Sequence, residues 1–89
     1  MMNFKDEEII VCRKAIDLYG EALQKIVAIE ELGELTQAIT KSLRGDDHNV
    51  EEEIADVSIM VTQLMMMYNA KKVLEIREEK LKKLERVVL

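Results

Sequence analysis

Two short stretches concentrate the side chains that could do chemistry: "EELGE", Glu30 to Glu34, and "EIAD", Glu53 to Asp56. Each holds two acids three residues apart, Glu31 with Glu34 and Glu53 with Asp56, and that spacing shares one side of a helix. Winding "AIEELGELTQAI" (28–39) at roughly 100° per residue with Leu35 at zero puts Glu31 at about −40°, inside the apolar arc between Leu35 and Ala38. Glu34 falls at about −100°, and Glu30 lies further out at about −140°. The same projection sets Glu53 between Met60 and Leu64, with Asp56 one step further round, near Gln63 and Met67. Buried carboxylates are costly and repel one another unless they take up protons or meet a cation. Magnesium prefers oxygen ligands, keeps waters and shares its shell with phosphates, so acid pairs on facing helices suit one or two such ions. A lone "EExxE" in a glutamate-rich helix is most simply a solvated face. Two inward-turned pairs flanking one turn favour the metal, although geometry alone leaves the reaction open.

The elements that must hold these pairs are helical. Periodicity of the helical kind runs from residue 4 to the C-terminus, with no alternating strand pattern. Asn3 is a candidate cap for a first helix that Gly20 ends, since glycine accepts positive φ. A second helix spans about Glu21 to Leu43, and "RGDDHN" (44–49) breaks it with residues that favour turns. Asn49 reads as the next N-cap, with Glu52 completing a capping box. The third helix reaches about Tyr68, Asn69 marks a short turn, and a fourth follows with Leu74, Leu81 and Val88 at heptad spacing and Leu84 beside them. The expectation is an all-α fold: one domain, 1–89, a compact four-helix chain forming an oligomeric helical bundle.

Bulk composition narrows the function classes. With Phe4, Tyr19 and Tyr68 the only aromatics, aliphatic side chains and methionine must build the core. A net charge of −5 argues against a nucleic-acid polymer as partner, because no large basic surface is available to displace counterions. The single Cys12 excludes an intrachain disulfide and fits a reducing compartment. The stretch "MMNFKDEEII" has no signal-peptide pattern, and no apolar run is long enough to span a bilayer. The expected location is cytoplasmic, with no membrane partner.

"EELGE" followed after eighteen residues by "EIAD" resembles the EExxE…ExxD signature of MazG-like proteins, members of the all-α nucleoside-triphosphate pyrophosphatase superfamily. The surrounding "YGEALQKIVAIEELGELTQAITKSLRGDDHNVEEEIADVSIMVTQL" is similar in spacing and turn placement to compact single-domain members. The resemblance implies Mg²⁺-dependent hydrolysis of a (d)NTP between its α- and β-phosphates, giving monophosphate and pyrophosphate, in nucleotide-pool house-cleaning. Mn²⁺ is a possible substitute ion. By motif position, Glu31, Glu34, Glu53 and Asp56 match the metal ligands, and Glu30 matches the first glutamate, a water-orienting or outer role. The resemblance also implies a homodimer or homotetramer in which neighbouring subunits complete the nucleotide site.

Positive groups are expected against the phosphates. Lys41 and Arg44 close the second helix, and Lys80, Lys83 and Arg86 lie on the fourth. Lys80 leads because similar proteins carry a basic residue at a comparable late position; the plain reading of all five is solvated lysines and arginines that suit helix ends. His48 reads as a solvated turn residue, Cys12 as a small core residue, and Met65 to Met67 as deformable filling. Tyr19 and Tyr68 suit either base stacking or packing at a helix end. Two other classes remain: a non-catalytic metal- or nucleotide-binding helical module, and a ferritin-like di-metal oxidase. The oxidase ranks last, because it needs Glu-x-x-His repeats and the only histidine lies outside both acidic helices.

Overall fold

A computed structural model describes residues 4–89 as four helices with no strand: α1 (Phe4–Tyr19), α2 (Glu21–Leu43), α3 (Val50–Met67) and α4 (Ala70–Val88). The proposed cap Asn3 lies outside the described residues. Gly20 alone separates α1 from α2, and its φ of 90° is reached cheaply only by glycine. Its amide closes α1 on the Ile16 carbonyl, while its own carbonyl accepts from Gln24 in the first turn of α2.

The α2–α3 turn has a specific chemistry. Gly45 has a φ of 79°; its amide bonds the Ser42 carbonyl, and the Asp46 amide bonds that of Lys41. This is the Schellman arrangement, which satisfies carbonyls that a helix end leaves open. At the start of α3 the capping-box expectation fails. Asn49 occupies the cap position, but its side chain accepts no backbone hydrogen. Its amide instead donates to Glu52 (3.3 Å) and Glu53 (2.9 Å), and charged acceptors make the stronger bonds. The Val50 amide turns to Nδ1 of His48 at 3.2 Å, so that residue works locally as a cap. Asn69 does cap α4, accepting from the Lys72 amide at 3.0 Å.

α2 and α3 form the hairpin at the centre of the fold, and α1 packs across both. Among the described residues the buried apolar set is Cys12, Ile16, Ala28, Ala38 and Met60. Small residues on α2 let α3 approach closely. Two buried amides join them there: Gln24 Nε2 donates to Gln63 Oε1 at 2.6 Å, with the side chains 6% and 4% exposed. Two turns further along each helix, in opposite directions, stand Glu31 and Asp56. The glutamine pair thus fixes the register in which the acids meet.

The expectation of a compact four-helix chain needs correction. The radius of gyration is 15.6 Å, whereas a compact chain of this length has about 12 Å. α4 touches only α3, contacts neither α1 nor α2, and buries none of its residues. Three helices pack together and the fourth projects. Ile29, Leu32 and Ile39 on α2 are also exposed, as are Leu74, Leu81 and Leu84 on α4.

Candidate metal centre

The acid pairs meet where α2 crosses α3. Glu31, Glu34 and Glu53 each offer an oxygen to a common point, all within 4.8 Å of one another. Asp56 stands beside them: it lines a small cleft of about 170 Å³ with Glu31, Val27, Ile59 and Met60, and its charge helps to raise the Glu31 carboxyl. The two pairs predicted from spacing therefore converge. Glu30 is exposed and outside the group of three, as its outer angle anticipates.

Burial sets the electrostatics. Glu53 is only 7% exposed. Its Oε1 accepts from Asn49, whereas its Oε2 is buried with no partner, and Glu31 Oε2 is buried and partnerless as well. Loss of water pushes the Glu53 carboxyl above the usual carboxylate range; Asn49 opposes that shift, and the charges of Glu34, Asp56 and Glu52 add to it. Glu31 is raised for the same leading reason, desolvation, and then by the charges of Glu34, Asp56 and Glu53. Orphaned buried carboxylate oxygens are uncommon because each forfeits its hydration. A hard divalent cation would satisfy both oxygens and remove the mutual repulsion, so the donor set fits one.

The basic residues do not assemble here. None of the residues lining the acid cleft is basic. Arg44 is drawn to Asp46, with Nε 3.1 Å from Oδ2, in an exposed ion pair. Lys41 lines a separate shallow pocket beside Arg44, Thr36, Gln37 and Thr40. Lys80 rides on α4, away from α2, together with Lys83 and Arg86. The expectation that Lys41, Arg44 and Lys80 meet the phosphates is thus not assembled within one chain. For Lys80 the physical reason is that α4 has no partner against α2; Lys41 and Arg44 stand at the far end of α2, about two or more turns beyond Glu31 and Glu34.

Cys12 is buried, as expected, and desolvation followed by the Glu8 charge pushes its thiol pKa up. Tyr68 is mostly exposed and its ring lies 4.5 Å from the Lys25 ammonium, a cation–π contact. Tyr19 is exposed at the end of α1. Three residues that matter to the site were not singled out from the sequence: Gln24, Gln63 and, as a partner of Glu53, Asn49. An Asn placed four residues before an inward-facing Glu was the available signal for the last.

No family model, curated protein or solved structure matches the chain.

Proposed function

We propose that the chain is a Mg²⁺-dependent nucleoside-triphosphate pyrophosphohydrolase of the MazG-like kind, cleaving a (d)NTP to a (d)NMP and pyrophosphate. The observation that carries the reading is the pair of buried, partnerless oxygens, Glu31 Oε2 and Glu53 Oε2, inside a three-acid group contributed by two helices. The "EELGE…EIAD" resemblance supplies the reaction. Glu31, Glu34 and Glu53 hold the ion, with Asp56 completing the set. Asn49 fixes one oxygen of Glu53 and leaves the other aimed for binding. When bound, Mg²⁺ neutralises phosphate charge and lowers the pKa of a water. A nearby carboxylate outside the ligand set would take the proton of a water that bonds the α-phosphorus as the bond from that phosphorus to the bridging oxygen breaks and pyrophosphate leaves.

The chain acts as a homodimer or homotetramer in this reading. Two observations support that. The small core leaves aliphatic side chains open on α2 and α4, among them Ile29, Leu32, Leu81 and Leu84, and contiguous apolar surface of this kind marks interaction sites. Arg77 and Lys80 also sit among Val73, Ile76, Leu81 and Leu84 on one face of α4, so covering that face with a second copy would bring basic groups to an interface.

The test is incubation with a panel of ribo- and deoxyribonucleoside triphosphates and Mg²⁺, resolving monophosphate, diphosphate and pyrophosphate. Monophosphate and pyrophosphate in equal amounts are expected. Nucleotide binding with no pyrophosphate release would instead favour the non-catalytic module.

A further inference from the structure

A second cleft opens between α1 and α3 beside the acid centre. It has a volume of about 520 Å³ and is lined by Glu7, Glu8, Val11, Cys12, Ser58 and Ile59. Ile59 also lines the cleft that holds Glu31 and Asp56, so the two spaces adjoin across one side chain. Ile59 follows Asp56 by three residues, a rise of about 4.5 Å along α3. The volume lies within the usual range for small-molecule sites.

The polar groups of this cleft have one chemical character. Glu8 is half-buried and its Oε1 is fixed by the Thr62 hydroxyl, which donates at 2.9 Å. The Ser58 hydroxyl spends its proton on the Ala55 carbonyl at 2.7 Å, leaving an oxygen that can only accept. Glu7 adds a second carboxylate at the rim. Val11, Ile59 and the buried Cys12 supply apolar walls for a flat ring. Among the described residues the cleft presents acceptors and apolar surface, and none of those that line it is basic.

The geometry points to this α1–α3 cleft as a nucleobase site that selects bases carrying an exocyclic amino group, guanine above all, over uracil and thymine. The inference rests on the nucleotide reading of the adjoining acid centre. Guanine offers N1–H and its 2-amino group side by side, which a carboxylate accepts as a pair; adenine and cytosine offer an amino group. Uracil and thymine offer one N–H flanked by two carbonyls, which face the carboxylates unfavourably. A neutral ring also avoids the repulsion that Glu7 and Glu8 would exert on the phosphates.

The test uses nucleoside 5′-monophosphates of the five bases, titrated calorimetrically in Mg²⁺ buffer, so that it does not depend on turnover. Guanosine, adenosine and cytidine monophosphates should bind at least about tenfold more tightly than the uracil and thymine ones, the size of one charge-assisted hydrogen bond. Glu8→Gln keeps an acceptor for Thr62 and turns an amide donor to the cleft, so the preference should shrink or invert. Val11→Trp, at a position 67% exposed, should fill the cleft and weaken every monophosphate at least about tenfold while leaving Mn²⁺ binding by electron paramagnetic resonance unchanged. Equal binding of all five bases, or no binding of any, overturns the inference, as does a Val11→Trp chain that binds like the parent. Base-selective binding without pyrophosphate release would sink the hydrolase reading and keep the base site. Unselective turnover in both parent and Val11→Trp would keep the hydrolase and sink the base site.

Discussion

Replacing Gln63 by leucine should destabilise the chain more than replacing Gln63 and Gln24 together. The two amides are bonded at 2.6 Å and nearly free of solvent, so either single variant strands its partner in an apolar seam. A buried polar group left unpaired costs about 1–3 kcal/mol, whereas removing both partners is close to neutral. In a domain of this size, each kcal/mol lowers the melting midpoint by roughly 4–8 °C. Gln24→Leu and Gln63→Leu should therefore each melt several degrees early, and the double variant should recover most of the loss. The coupling from the double-mutant cycle should be about 1–3 kcal/mol in urea melts at one fixed protein concentration. A second readout separates stability from register. The amide pair lies two turns from Glu31 and Asp56 along the same seam, so the double variant should still bind Mn²⁺ more weakly than the parent despite its restored midpoint. Additive single effects would refute the mutual burial of the amides. Unchanged Mn²⁺ affinity in the double variant would refute their part in aligning the acids.

Two further outcomes follow from the acid centre and the open helix faces. Glu31 and Glu53 hold protons in the folded chain at pH values where unfolded carboxyls, with their ordinary value of 4.5, have lost them. The unfolded state then binds fewer protons, so the stability of the metal-free chain falls as pH rises from that ordinary value through the raised folded ones. Metal-free melts should accordingly show a lower midpoint at about pH 8 than at about pH 5, and Mg²⁺ at a hundred times its dissociation constant should add about 2.7 kcal/mol at the higher pH. A midpoint insensitive to demonstrated metal binding would contradict a preformed site. For the assembly, sedimentation at low micromolar concentration should show a dimer or tetramer, and Leu81→Glu on the uncovered face of α4 should dissociate it. A folded, active monomer of the parent chain would contradict a shared site.

The helix boundaries were legible because their signals are local. Gly20, the 44–49 turn and Asn69 all stand where the helices change. The convergence of Glu31, Glu34, Glu53 and Asp56 was legible for a related reason. A helical projection shows which side a residue takes, and only one packing of two neighbouring helices brings both acidic sides together. The packing of α4 was not legible, since its strong periodicity states that a face wants covering but not what covers it. The same holds for Lys80, whose distance from the acids depends entirely on where α4 goes. Gln24 and Gln63 escaped because glutamine reads as a surface residue, and only its pairing across the seam makes burial affordable. The Asn49 capping box was misread because pattern alone does not show that its amide meets two carboxylates before it meets a backbone group.

The most direct measurement is pyrophosphate release at saturating Mg²⁺ by the parent, Glu31→Gln and Glu53→Gln, with Glu51→Gln as control and circular dichroism confirming the fold. Glu51 is exposed and outside the acid group. Both motif amides preserve shape while removing the charge that holds the ion, so each should lower turnover at least roughly a hundredfold in a folded protein. The control should keep substantial activity. Near-parental turnover in both motif variants would contradict the assignment of hydrolysis to these carboxylates.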